Sequence, residues 1–190
     1  MFVIASGPSL TQADCDLVKS KPVKTLAVSD AYKLIEADYH YSCDRVWWEL
    51  HIAHVKAGRR FTQYGGDDER EWAESQGLEP VLSCGLPGLG LDCIHTNGNS
   101  GAQAINLAYL LGAKSIYLLG FDMDWTDGKS HFFGDHPEGL RNRNPNVLIP
   151  KFDQLAKDLE ARGVEVINCS RATALYQFRR ESLESVLERL

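Results

Sequence analysis

Apolar runs alternate with amphipathic stretches along almost the whole chain. Residues 2–5 form a short apolar run that predicts a first strand, broken at Ser6-Gly7-Pro8-Ser9 before the helix-like TQADCDLVK. Residues 24–28 (KTLAV) predict a second strand, followed by a short helical piece over 30–36. A third strand is expected over 39–42 and a helix over 45–56, although its apolar positions do not separate into two clean faces. Residues 59–63 read as a fourth strand, 67–76 as a charged surface helix and 79–82 as a short strand. The clearest helical spacing covers 100–111. SIYLL at 115–119 reads as a central buried strand. An amphipathic helix over 150–162 ends at Gly163, a good C-terminal cap, before a last strand at 164–167 and a terminal helix at 182–190. Two stretches carry no period: the glycine-rich 83–98, and 120–146, dense in Asp, His, Gly, Asn and Arg. Long irregular stretches inside a compact domain usually carry function.

Strands alternating with helices imply an α/β fold: a single doubly wound, mostly parallel sheet with helices on both faces. A length of 190 residues suits one such domain, spanning 1–190. In sheets of this kind ligands bind beyond the carboxyl ends of the strands. That rule gathers the residues of interest: Ser6, Gly7, Pro8 and Ser9 after the first strand, Ser29 and Asp30 after the second, and Cys43 and Asp44 after the third. It adds Asn99, Ser100 and Gly101 at the start of the long helix, and Asp122 and Asp124 after SIYLL.

These positions suggest chemistry. The small-residue turn at Ser6–Ser9 offers backbone N–H groups to a phosphate, yet it lacks the three-glycine fingerprint and the Walker lysine, and a plain tight turn reads equally from it. Asn99 or Ser100 is a natural N-cap, and the helix it opens makes an anion site; capping alone is the simpler reading. Asp122-Met-Asp124 is a pair able to hold Mg²⁺ against a diphosphate, or to cap a turn or bind a ribose hydroxyl. His131-Phe-Phe-Gly-Asp-His136 places two histidines in a loop that Phe132 and Phe133 should fold back onto the body. Either histidine suits a general base, and Arg141 and Arg143 follow as phosphate partners. Of Trp47 and Trp48, one is expected in the core and the other on a base, a sugar or an interface, which leaves room for a homo-oligomer.

The bulk numbers narrow the classes. A net charge of −6 and a pI near 5.5 argue against binding duplex nucleic acid through a broad basic face. No apolar run approaches the roughly 18 residues of a membrane span. The N-terminus has no basic region or cleavage site of a signal peptide, and Val3 and Ile4 read as core strand, so a cytoplasmic protein without membrane association is expected. Five cysteines (Cys15, Cys43, Cys84, Cys93 and Cys169) form no C-x-x-C pair and read as reduced thiols.

Four segments in this order, ASGPSL, YSCDRVWWE, NSGAQAINLAYLLGAKSIYLLGFDM and SHFFGDH, resemble the bacterial family 42 sialyltransferases and the related 6-hydroxymethylpterin pyrophosphokinase-like proteins (domain of unknown function 115). Small phage proteins share the layout. The resemblance implies a Rossmann-like, GT-A-variant-like transferase with a nucleotide or nucleotide-sugar as its small-molecule donor. It implies that Ser6 to Ser9 line the donor phosphate, that Ser29, Asp30 and Asp44 occupy positions held by asparagines or their neighbours in the family, and that Ser100 and Gly101 lie near the nucleotide. It implies a catalytic histidine at His136, with His131 as the alternative. Beside the resemblance, Arg141 or Arg143 is suited to stabilise the departing phosphate. Acidic Asp30 and Asp44 count against CMP-sialic acid and suit ribose hydroxyls, or a metal that offsets them. Glycosyl transfer is the reaction expected first, to a sugar or a modified nucleic acid. Mg²⁺-dependent diphosphoryl transfer through Asp122 and Asp124 comes second. A non-catalytic nucleotide-binding or phage assembly protein is the competing class.

Overall fold

A computed structural model describes residues 1–125, 128–135, 140 and 144–190. Among these residues nine strands form one sheet: β1 (Phe2–Ile4), β2 (Thr25–Val28), β3 (Tyr39–Tyr41), β4 (Arg59–Tyr64), β5 (Glu79–Cys84), β6 (Ile94–His95), β7 (Ser115–Leu119), β8 (Glu165–Asn168) and β9 (Arg179–Arg180). Their order is β6-β5-β4-β3-β2-β1-β7-β8-β9, and every pairing is parallel. The helices are α1 (Gln12–Lys19), α2 (Arg45–His51), α3 (Asp67–Ser75), α4 (Ser100–Leu110), α5 (Pro145–Leu148), α6 (Phe152–Ala161) and α7 (Leu183–Glu188). The doubly wound α/β architecture expected from the sequence is the one observed.

The two faces of the sheet follow from the period of two in the strands. Val3, Leu26, Ile116 and Leu118 point to one core, shared with Ala102 and Ile105 of α4 and Leu155 and Leu159 of α6. Phe2, Ile4, Ala27 and Leu119 point to the other, shared with Cys15 and Val18 of α1 and Leu183, Val186 and Leu187 of α7. Phe2, Val3 and Ile4 are all fully buried. Full burial of such a side chain is worth about 1.5–3 kcal/mol, so the first strand is anchored from both sides.

A third cluster lies under α2 and α3, where Trp47 and Trp48 pack with Val55, Ala73 and Leu78. Both tryptophans are buried, at 1% and 0% exposure, so neither offers the exposed face expected from the sequence. Each indole N–H finds an acceptor inside, Asp30 Oδ2 for Trp47 and the Ser42 carbonyl for Trp48. That is how a tryptophan is buried whole.

The irregular stretch 83–98 holds two features that its composition hides. It contains β6, and Cys84 is joined to Cys93 by a disulfide, with Cα atoms 6.3 Å apart. The expectation of five reduced thiols is therefore corrected for this pair. Cys15, Cys43 and Cys169 are free thiols. The helix expected over 45–56 ends at His51, and the one over 150–162 opens in a 3₁₀ turn (Ile149–Lys151) and continues as α6, while α5 precedes it. Among the described residues no helix is long and apolar enough to cross a membrane.

Candidate active site

The strand order reverses at β1. The chain runs outward from β1 through β2 to β6, then returns across the sheet in α4 to form β7 on the other side of β1. Such a switch point opens a crevice between the loops that leave the two central strands. A cavity of about 570 Å³ lies there, within the size range of small-molecule sites. Its walls come from the ends of β1 (Ser6, Gly7), β2 (Val28, Ser29), β3 (Cys43, Asp44), β4 (Gln63) and β7 (Gly120, Phe121), from the start of α4 (Asn99, Ser100, Gly101, Gln103), and from Asp124, Ser130 and His131.

At the floor the β1 and β7 loops touch backbone to backbone. Gly7 N–H donates to the Gly120 carbonyl at 2.8 Å. A Cβ on Gly7 would lie 2.3 Å from Asp122 Oδ1 and 2.5 Å from the Gly120 oxygen, so no side chain fits. Gly120 has φ +68 and its own Cβ would meet the Ala5 oxygen at 2.5 Å. The turn expected to cradle phosphate thus spends its Gly7 and Ser9 donors inside the protein. Gly7 N–H goes to Gly120, Ser9 N–H to Asp122 Oδ2, and Leu10 N–H to the Gly7 carbonyl. Pro8 has none to give. Pro8 and Ser9 are not in the cavity wall, and the glycine serves loop packing.

Asp122 is also outside the wall. It is 1% exposed, and its carboxylate accepts the Ser9 N–H and hydroxyl at 2.7 and 2.8 Å. Burial pushes its pKa up to about 6, against the lowering effect of the Ser9 bonds. Asp124 does line the cavity. The two aspartates expected as a metal pair therefore face different surroundings, and among the described residues no group of three or more His, Cys, Asp or Glu is placed to hold a metal.

Asp30 is likewise withdrawn. It is 2% exposed and accepts from Trp47 Nε1 at 2.9 Å, and Lys33 Nζ lies 2.6 Å from its other oxygen. Burial alone would raise its pKa; Lys33 and Trp47 hold it below the ordinary value. Its work is indirect, since Trp47 lines the cavity with its ring stacked on His40 at 5.3 Å and 12°. His40 is itself buried, which pushes its pKa down to about 3 and keeps the ring neutral. Asp44, by contrast, stays in the wall. Beside it, Cys43 Sγ lies 2.9 Å from Ser100 Oγ. Burial and the Asp44 charge push the Cys43 thiol up to about 12, so it is protonated at neutral pH and is no nucleophile.

The start of α4 presents open donors to the cavity. Asn99 is the N-cap, its side chain accepting from Ala102 N–H at 3.0 Å. Gln103 N–H bonds the Asn99 carbonyl. Among the described residues the N–H groups of Ser100 and Gly101 have no protein acceptor, and both residues line the cavity. Two such donors at the positive end of an eleven-residue helix favour a phosphate or carboxylate.

The loop at 128–135, which gives Ser130 and His131 to the cavity wall, is tied down. Phe132 N–H donates to the Ser6 carbonyl at 3.0 Å, and its ring packs on the core beneath. Phe132 and Phe133 fold the loop back onto the body as expected, with Lys33 Nζ 4.6 Å from the Phe133 ring centroid. His131 stacks on Phe133, with centroids 5.0 Å apart and an interplanar angle of 11°. Its Nδ1 lies 3.0 Å from Ser130 Oγ and 3.2 Å from the Gly134 carbonyl. Ser130 Oγ in turn donates to Asp135 Oδ1 at 2.7 Å. A carbonyl only accepts, and the serine proton is given to Asp135. Nδ1 therefore carries the imidazole proton and Nε2 is the basic nitrogen of the neutral ring. His136, Arg141 and Arg143 lie outside the described residues.

Among the described residues three non-glycines have positive φ: Ser29 (+45), Asn97 (+40) and Met123 (+50). Ser29 and Met123 line the cavity, and Asn97 stands between two residues that do. Backbone held this way costs about 1–3 kcal/mol per residue and gathers at functional sites. Asn97 is held by a two-way bridge to the Gly88 backbone at 2.9 Å each way. These contacts, like the Gln63–Gln103 pair in the wall, join residues far apart in sequence, and no local motif announces them.

No family model matches the chain, and no curated protein matches it in sequence. Solved structures do match in fold. The MAf glycosyltransferase from Magnetospirillum magneticum AMB-1 superposes with a TM-score of 0.62 at 16% identity, covering 97% of this chain and 33% of that one. The sialyltransferase CstII from Campylobacter jejuni, solved with the substrate analogue CMP-3FNeuAc, superposes with a TM-score of 0.56 at 12% identity, covering 95% and 85%. The chain thus spans about a third of the length of the first and most of the second. Both neighbours are glycosyltransferases, and the fold is the one they share with this chain.

Proposed function

We propose that the protein is a glycosyltransferase that uses a nucleotide-sugar donor. The observation that carries this reading is the presence, in the walls of one cavity at the switch point, of the N–H groups of Ser100 and Gly101 and the oriented imidazole of His131. The α4 start takes the donor phosphate. The sugar lies toward His131. An acceptor hydroxyl attacks the anomeric carbon, the bond from that carbon to the phosphate oxygen breaks, and the nucleotide leaves with the electron pair. Nε2 of His131 takes the hydroxyl proton, and Ser130 and Asp135 hold the ring for it. His136 is the sequence's first candidate for this role; the proposal rests on His131 because its geometry is described. Arg143 retains its sequence-based role as a partner of the leaving phosphate, and Arg143→Ala tests it.

The fold neighbours support the reading, one of them having been solved with a CMP-sugar analogue. Asp44 in the wall suits ribose hydroxyls. Diphosphoryl transfer would need Asp122 as well as Asp124 on a metal, and both Asp122 oxygens are engaged by Ser9. The test is to incubate the protein with CMP-, UDP-, GDP- and ADP-linked sugars and follow release of free nucleotide, with and without acceptor sugars. Release from one donor class is expected. No release and no binding for any donor would overturn the proposal. Formation of AMP from ATP, abolished by EDTA, would mark diphosphoryl transfer instead.

A further inference from the structure

Among the described residues the cavity wall carries two carboxylates, Asp44 and Asp124, and no lysine or arginine. A nucleotide phosphate brought to Ser100 and Gly101 adds negative charge to that wall. The two N–H groups and the helix dipole offset part of it. A full positive charge close by would offset the rest. Lys151 stands beside this spot. Its side chain lies along Gly98, which lines the cavity two residues before Ser100. A Cβ on Gly98 would lie 3.0 Å from Lys151 Nζ and 3.5 Å from its Cδ and Cε, so the lysine stem takes the space of a side chain there. Two residues of chain span about 7 Å at most. The ammonium therefore acts on a phosphate at Ser100 from about one Debye length or less, roughly 10 Å at 0.1 M salt.

The fold itself makes little use of this charge. Lys151 is the N-cap residue of α6 and makes no side-chain cap, and a cation at the positive end of a helix is unfavourable. The side chain is exposed, and among the described residues its ammonium has neither an ion pair nor a hydrogen bond. Asp153, the acid of the same helical turn, takes its hydrogen bond from Gln177 at 2.7 Å instead. We propose that Lys151 is a binding residue for the donor phosphate and supplies the positive charge that the described wall lacks. The proposal rests on the nucleotide-binding reading of the cavity and adds to it a residue from a second helix. The flexible stem and rotatable donors of a lysine let the ammonium turn from Gly98 to the phosphate oxygens without a backbone movement.

Calorimetric titration tests this, with CMP, UMP, GMP, AMP and the four matching nucleosides as probes, into the wild-type protein, Lys151→Gln and Lys151→Arg. The side chain is exposed, so both variants should fold and melt with the wild type. For the nucleotide that the wild type binds best, Lys151→Gln should bind about fivefold to tenfold more weakly, the scale of one partly exposed charged contact. Lys151→Arg should keep most of the affinity. Raising salt from about 50 to about 300 mM should weaken binding to the wild type more steeply than to Lys151→Gln, because the charge removed is one that salt screens. The matching nucleoside, which has no phosphate, should bind both proteins alike. Equal nucleotide affinity in the wild type and Lys151→Gln would overturn the proposal. An equal loss for the nucleoside would overturn it too, because it would mark a packing role. Where the nucleoside binds too weakly to measure, the salt dependence decides alone. If none of the four nucleotides binds the wild type, the nucleotide reading fails and this proposal with it. Binding that Lys151→Gln leaves unchanged overturns this proposal only.

Discussion

Ser9 gives both its backbone N–H and its hydroxyl to Asp122, at 2.7 and 2.8 Å, across the point where the β1 and β7 loops meet. This bond takes up the Ser9 donors of a turn that has the look of a phosphate cradle. A carboxylate occupies the place beneath it, and Gly7 has no side chain because that carboxylate needs the room.

The buried Asp122 makes stability depend on pH in a definite direction. Its folded pKa, about 6, lies above the ordinary 3.8, so the folded state holds the proton more tightly than the unfolded chain. The contribution is fully present below about pH 4 and is lost as pH rises through about 6. A shift of roughly two units corresponds to about 3 kcal/mol at most. Asp122→Asn cannot ionise and keeps an acceptor for Ser9. Melting temperatures measured from pH 4 to pH 7 should show the variant gaining on the wild type as pH rises, and a constant difference would contradict this.

Asp14 works in the opposite sense. It is buried at the start of α1, where burial alone would raise its pKa, but Arg171 and Thr11 hold it below the ordinary value. Its stabilisation is present above the ordinary carboxylate pKa and is lost as pH falls below that. Arg171→Ala should cost about 1–2 kcal/mol in urea unfolding at pH 7, less than a fully buried pair because the guanidinium is half exposed. The loss should shrink in acid.

The His131–Ser130–Asp135 chain predicts graded effects on turnover once a donor is found. His131→Ala should lower kcat by about 10²–10⁴-fold with little change in melting temperature. Ser130→Ala should cost less, since the Gly134 carbonyl still holds Nδ1. Wild-type turnover in His131→Ala would remove it from the base role.

The Cys84–Cys93 disulfide predicts a thiol count. Titration of the unfolded, unreduced protein should find three free thiols, and five after reduction. Closing this short loop should contribute about 2–3 kcal/mol of stability by restricting the unfolded chain. Five thiols without reductant would contradict the pairing.

The main strands and helices were legible because their periods are: SIYLL at 115–119 is β7 residue for residue, and the strong helix at 100–111 is α4 less its last position. β6 and β9, two residues each, are too short to express a period of two and were missed. The site was legible as a set of loops, since the rule that ligands gather at strand ends needs only strand positions. It was not legible as a set of directions. Asp122 and Asp124 stand in the spacing that suggests a metal pair, yet only Asp124 lines the cavity, because Asp122 is held by a serine 113 positions away in sequence. Asp30 turned inward to Trp47 for a similar reason: a buried indole needs an acceptor. Gln63 and Gln103 are forty positions apart and meet only when α4 crosses back over the sheet.

The central claim is that the start of α4 receives the donor phosphate. Amide ¹H–¹⁵N spectra of the labelled protein, recorded during titration with the nucleotide-sugars, test it most directly. The account predicts that the Ser100 and Gly101 resonances shift first and furthest, while Ser9, whose N–H is bonded to Asp122, stays nearly unmoved. Binding that shifts Gly7 and Ser9 and leaves Ser100 and Gly101 in place would contradict it.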